Sequence, residues 1–220
     1  MPKTKPQNLI PAVDSVGAFE GLMIPASPFI PDVRATAIEE GRHERPERTA
    51  LQAMLREGDR LVELGAGIGF LGALAAKTIP DLQLLAYEAN PELLPTIQDF
   101  YALNQLTPRA EARNEIVIAD PKRPEHVDFH INGSYLGSSL YRVGPAGRQP
   151  IKVPTVSWAA VKAAFRPTIL LMDIEGAELD FLAHADLSGL RPVILEFHPN
   201  HYGQDGVVRC RRRLRRQGFE

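Results

Sequence analysis

A single cysteine, Cys210, in 220 residues excludes an internal disulfide framework and fits a reducing compartment. No apolar run approaches the ~20 residues of a membrane span. The hydrophobic pieces are short, Thr168 to Met172 being typical. Behind the two lysines of Met1 to Ile10 there is no continuous apolar stretch of the kind a secretion signal carries. These absences predict a cytoplasmic protein with no membrane partner. Aromatic residues make up only 7%, and none stands between Arg209 and Arg216, where six arginines cluster. Without stacking groups among them, the arginines predict a solvated surface helix more than a nucleic-acid footprint. What remains is an ordinary globular composition, 44% hydrophobic and 24% charged, long enough for one substantial core.

Residues 1–45 hold six prolines and no sustained period, which predicts an irregular N-terminal arm, with one domain over 46–220. From Pro46 a helical spacing begins (Leu51, Met54, Leu55) and leads into a strand, Arg60 to Leu64. Further helices are expected over Phe70 to Lys77, from Asn90 to about Leu103, from Ser157 to Phe165 and over Gly176 to Ala185. Strands are expected at Leu82 to Tyr87, Glu115 to Ala119, Thr168 to Met172 and Val193 to Phe197. Between the third and fourth of the chain's five main strands, alternation at Val127, Phe129 and Ile131 and again near Ile151 to Val156 predicts an antiparallel β excursion. Its Gly/Ser-rich middle, Asn132 to Gln149, is a candidate lid over an acceptor site. Strands alternating with helices imply an α/β fold, a mainly parallel sheet covered on both faces.

The densest signal is Glu63-Leu64-Gly65-Ala66-Gly67-Ile68-Gly69, where an apolar strand breaks into three alternating glycines and an alanine-rich helix follows. Glycine is needed where the chain turns with positive φ or where a ligand meets the main chain, and free amides at the next helix start favour electron-rich ligand atoms. Glu88 follows about twenty residues on, placed to hold ribose hydroxyls. Spacing alone leaves NAD and S-adenosylmethionine open. Glu63 tilts the choice: a carboxylate just before the turn suits a cationic sulfonium and ammonium better than a pyrophosphate.

A second constellation, Asp173-Ile174-Glu175-Gly176-Ala177-Glu178, runs from a buried strand through two carboxylates at i, i+2 into a glycine and a helix. At this box the sequence resembles the FkbM-type family of S-adenosylmethionine-dependent methyltransferases. The glycine loop, the Glu88-Ala89-Asn90-Pro91 turn and a fifth strand ending in Glu-x-His at His198 extend the resemblance over roughly residues 40–200. It implies a Rossmann-like class I methyltransferase fold and O-methylation of a hydroxyl on a sugar or polyketide-type small molecule. Glu63, Gly65, Ala66, Gly67 and Gly69 would lie near the donor's methionyl part, with Glu88 and Asn90 at its ribose. Only a last helix and the start of one strand fit before Glu220, so the C-terminal strand pair expected of the fold would be incomplete, either because the sequence is cut short or because the sheet edge closes differently. An open fifth strand would then be an association liability and could support a homo-oligomer.

For chemistry, His198 is a candidate general base, with Asp173 and Glu175 orienting it or the acceptor. A metal-free route is expected. Asp173, Glu175, His198 and His201 form the alternative metal set, but no close ligand spacing compels one. Two other functions stay open on sequence: an NAD-dependent oxidoreductase, and a non-catalytic Rossmann-like binding module with a basic tail.

Overall fold

Two short strands, β1 (Ser15–Phe19) and β2 (Leu22–Pro25), form an antiparallel hairpin, and helix α1 (Asp32–Glu39) follows. The computed structural model describes residues 13–131 and 149–220. The stretch expected to be irregular is therefore ordered from residue 15. Glu20 and Gly21 both take positive φ (48° and 79°), as a tight hairpin turn requires. Leu22, Ile24 and Ile38 are wholly buried, so apolar burial overrides the proline-rich composition. Asn104, much later in the chain, clamps the hairpin by accepting from Met23 N (2.7 Å) and donating to Met23 O (2.8 Å).

Helix α2 (Arg45–Met54) leads into β3 (Arg60–Leu64), α3 (Phe70–Thr78) and β4 (Gln83–Tyr87), close to the expected bounds. Asn90 caps a short 3-10 turn, Pro91–Leu93, that runs into α4 (Leu94–Leu103). The third strand of the main sheet is not Glu115 to Ala119 but β5 (Ala110–Arg113), parallel to β4. As an edge strand with one wet face, β5 needs only the alternation Ala-Glu-Ala-Arg, which carries too little apolar signal to be seen in sequence. The apolar triplet β6 (Ile116–Ile118) joins a separate small sheet instead. There β8 (Ile151–Ser157) pairs parallel with β6 and antiparallel with β7 (His126–Phe129), so the expected antiparallel excursion is present. Residues 132–148, which hold nearly all of the candidate lid, lie outside the described residues.

After α5 (Trp158–Phe165), capped by Ser157 as expected, come β9 (Ile169–Met172), α6 (Glu178–His184), β10 (Val193–Leu195) and α7 (Pro199–Arg216). The main sheet is parallel throughout, in the order β10-β9-β3-β4-β5. The order reverses between β3 and β9, and doubly wound sheets bind ligands beyond the carboxyl ends of their strands at that point. One core, on the α3 and α4 side, also buries the hairpin and α1; the other holds Trp158, Phe181, Leu182 and Cys210 from α5, α6 and α7. Among the described residues no strand follows β10. The chain continues as α7, which buries Val207 and Cys210 and leaves Arg209, Arg211, Arg212, Arg215 and Arg216 exposed. Among the described residues no helix is long and apolar enough to cross a membrane.

Candidate active site

The carboxyl end of β3 turns directly into the glycine loop. Gly65, Gly67 and Gly69 take φ of 80°, 56° and 84°. At Gly65 a Cβ would fall inside the carbonyl oxygen of Asp173 and 2.8 Å from its carbon, so β3 and β9 can close on each other only with glycine there. Four of the loop amides are already used. Gly65 N and Ala66 N donate to Tyr87 O (2.9 and 3.1 Å), Gly69 N donates to Ala66 O (2.7 Å), and Gly67 N donates to Glu88 Oε2 (2.8 Å). These four amides are therefore turned inward, and the loop shapes a wall through close approach of its backbone.

Gly65, Gly67 and Glu88 line a cavity of about 470 Å³ at the switch point, while Ala66 and Gly69 stand outside its wall. Its other sides are the apolar Leu93, Ile116, Val117 and Phe129 and the acids Asp173 and Glu175. Glu88 is held by Gly67 N and by Asn90 N (2.7 Å), so Asn90 sets the carboxylate's position from a fully enclosed place of its own. Burial pushes Glu88 up to about 7 against the pull of those hydrogen bonds.

Glu63 departs from its expected place. Alternation along β3 turns Leu64 toward the cavity and Glu63 toward α3, where Oε1 accepts from Gly72 N at 3.2 Å. A Cβ at Gly72 would stand 3.2 Å from Glu63 Cδ, which explains the glycine inside α3. Glu63 is 3% exposed, and burial, with the Glu44 charge next, holds its carboxyl well above the usual range.

Around His198 the chain gathers what the sequence kept twenty residues apart. Glu178 Oε1 accepts from Gly176 N (3.1 Å) and lies 3.0 Å from His198 Nδ1, while His198 Nε2 stands 3.5 Å from both Asp173 Oδ1 and Glu175 Oε2. Burial alone would lower the imidazole; the hydrogen bond and charge of Glu178, then Asp173 and Glu175, outweigh it and bring His198 to about 9. Burial also tends to raise Glu178, but its bonds from His198 and Gly176 leave it below the ordinary range. Asp173 is driven up to about 7 by burial and by Glu196, with His198 opposing. Near neutral pH His198 is therefore an imidazolium inside a ring of carboxylates, not the neutral base expected from sequence. It meets the cavity only through Asp173 and Glu175, which do form its wall.

Two acids escaped sequence reasoning. Glu196, in the quoted Glu-x-His, joins Asp173 and His198 with ligand atoms within 4.8 Å of one another, replacing Glu175 and His201 of the metal set considered above. His201 packs instead against Gly176, where a Cβ would come 2.6 Å from its ring. Glu44, before α2, lines the cavity from the N-terminal segment, and no motif marks it.

The cavity combines an apolar end, the enclosed carboxylate of Glu88 and further acids with the cations Lys122 and Arg123 in its wall. No curated protein matches the chain. Solved structures with similar folds include precorrin-6y C5,15-methyltransferase from Geobacter metallireducens GS-15 (13% identity over 80% of this chain and 72% of that one, TM-score 0.49). TYW2 of P. horikoshii in complex with MeSAdo aligns at 14% identity over 91% of this chain and 59% of that one, TM-score 0.47. A TehB-like SAM-dependent methyltransferase from Corynebacterium glutamicum aligns at 14% over 83% and 79%, TM-score 0.44. The Methyltransferase FkbM domain pattern matches residues 64–220, from the glycine loop to the end of α7. The chain belongs to the FkbM methyltransferase domain family and is an S-adenosylmethionine-dependent methyltransferase of class I, α/β fold.

Proposed function

We propose that the enzyme methylates a hydroxyl oxygen on a small molecule of the sugar or polyketide type, without a metal. The observation that carries this reading is Asp173, which forms the cavity wall at the switch point and has a carboxyl raised to about 7. A general base works best with a pKa near the operating pH, and a hydroxyl needs one at the moment it attacks.

When bound, S-adenosylmethionine supplies an electrophilic methyl group on a sulfonium. Gly65 and Gly67 would allow it to approach the main chain, Glu88 would hold its ribose hydroxyls, and Leu93, Ile116 and Phe129 would form the apolar walls for its adenine. Asp173 takes the acceptor proton on Oδ1 or Oδ2. His198, fixed through Nδ1 by Glu178, offsets the acids crowded there and keeps Asp173 ionised over part of the neutral range. Glu175, with φ of 50°, is held by the loop as the second wall carboxylate and orients the acceptor. His198 is thus a positioning residue, and most of the rate comes from holding the oxygen in line at near-attack distance.

Asp173→Asn tests the assignment. Binding of S-adenosylhomocysteine by calorimetry is expected to persist, while turnover on a hydroxyl acceptor falls by about a hundredfold or more. Full turnover in this variant removes Asp173 from proton transfer.

A further inference from the structure

Glu44 is a cavity-lining carboxylate to which neither the box nor the glycine loop gives a task. It shares the wall with Gly65, Glu88 and Asp173 but comes from the residue before α2. Its backbone sits at φ 46°, ψ 38°, a left-handed conformation that side-chain-bearing residues rarely take, and its side chain makes no capping bond to α2. The segment therefore does not hold Glu44 there to start the helix. The charges that reach it are Asp173, Glu47 and Glu196, opposed by Arg34. Its other neighbour, His43, has Nε2 3.4 Å away, but burial holds that imidazole near 4 and leaves it neutral. Burial and these acids raise Glu44 to about 8. The carboxylates that reach Glu44 outnumber the cations near it, which are Arg34 and, beside Asp173 and Glu196, the His198 imidazolium.

The position within the cavity selects the ligand group. Glu88 marks the β4 side, where a ribose would lie. Glu44 interacts with Asp173 and Glu196, at the ends of β9 and β10, across β3 from Glu88. An adenosine anchored at Glu88 with its chain extended over Gly65 brings its amino-acid end to Glu44. We propose that Glu44 receives the α-ammonium group of the donor's methionyl part, the role that sequence alone would give to Glu63. The inference rests on this cavity being the methyl-donor site.

The test uses the full chain and two uncharged-sulfur probes, S-adenosylhomocysteine, which carries the ammonium, and 5′-methylthioadenosine, which lacks it. Wild type, Glu44→Gln and Glu44→Asn are titrated by calorimetry, with melting temperature as the folding control; asparagine tolerates the left-handed backbone well. Both variants are expected to bind S-adenosylhomocysteine about tenfold more weakly, the value of one charge-assisted hydrogen bond, and methylthioadenosine as wild type does. Unchanged S-adenosylhomocysteine affinity, or equal losses for both probes, overturns the inference and leaves the donor site standing. A wild-type chain that binds neither probe removes the donor site and the inference together.

Discussion

Gly65→Ala and Gly58→Ala form a matched pair that isolates the close approach of β3 and β9. Both glycines have left-handed backbones, with φ of 80° and 75°. At Gly58 an added Cβ meets nothing within 4 Å, so alanine there carries only the left-handed penalty of about 1–2 kcal/mol. At Gly65 the same Cβ runs into the Asp173 carbonyl, and that carbonyl cannot swing away freely. Asp173 N donates to Leu64 O at 2.9 Å, and Gly65 N is tied to Tyr87 O on the other side. The strands must part, which adds about 1–3 kcal/mol by analogy with overpacked cores. With roughly 2–4 °C per kcal/mol for a chain of this size, Gly58→Ala is expected to lose about 2–8 °C and Gly65→Ala roughly twice as much. Thermal unfolding followed by circular dichroism measures both. Calorimetry with S-adenosylhomocysteine adds a second readout, since displacing Asp173 narrows the cavity while Gly58 lies away from it. Equal melting points and equal affinities in the two variants would show that no such approach exists.

Glu178→Gln should release His198 from its strongest partner, so its imidazole, titrated by NMR, is expected to fall from about 9 toward or below its ordinary 6.5; a value still near 9 would mean that Glu178 is not the cause. Stability of the ligand-free protein should decline between pH 5 and 8. Glu44, Asp173 and Glu88 keep protons in the folded state up to about 8, 7 and 7 that the unfolded chain has lost, and His198 continues the trend through about 9. A urea midpoint that rises over that interval contradicts these shifts. Exhaustive chelation is expected to leave turnover unchanged; activity lost and then restored by magnesium or manganese would move the proton chemistry onto an ion held by Asp173, Glu196 and His198.

Local rules made much of this fold legible. The period change at Leu64, the proline and asparagine cap before α4 and the Ser157 cap before α5 are chemical signals that act within a few residues, and each lies where it was read. Long-range effects were not legible. Ile116–Ile118 and Ala110–Arg113 compete for the same place in the sheet, and apolar content points to the wrong one because the edge position demands little burial. The hairpin at Ser15–Pro25 is stabilised by Asn104, about eighty residues away. In the site, the Asp173 box was found because it is contiguous. Glu63 was assigned by its distance from the glycines, but the two-residue period of a strand decides which face it takes, and here that face is α3. His198 stands 3.5 Å from both Asp173 and Glu175, and its protonation state depends on Glu178, whose carboxylate arrives from the first turn of α6.

The wall acids Glu44, Glu88, Asp173 and Glu175, with Glu196 beside Asp173, come from four places: the residue before α2, the end of β4, the end of β9, which supplies both Asp173 and Glu175, and the end of β10. All lie at the carboxyl ends of the parallel strands or beside them, and the same cavity is also lined by Lys122 and Arg123 from the segment between β6 and β7. Elsewhere in the molecule a buried acid is matched directly: Asp59, 2% exposed at the opposite ends of β3 and β9, accepts from Thr168 Oγ1 at 2.7 Å and pairs with Arg191. Burying carboxylates costs stability, and here the cost is met in part by the backbone amides on Glu88 and by His198 beside Asp173 and Glu175. On the proposed reading a cation entering the cavity would lower what remains of that cost, and the donor's positive charge would be a quantity the site selects. Glu44 lies outside the 64–220 stretch shared with the family, so the N-terminal segment contributes to that selection as well as to the core.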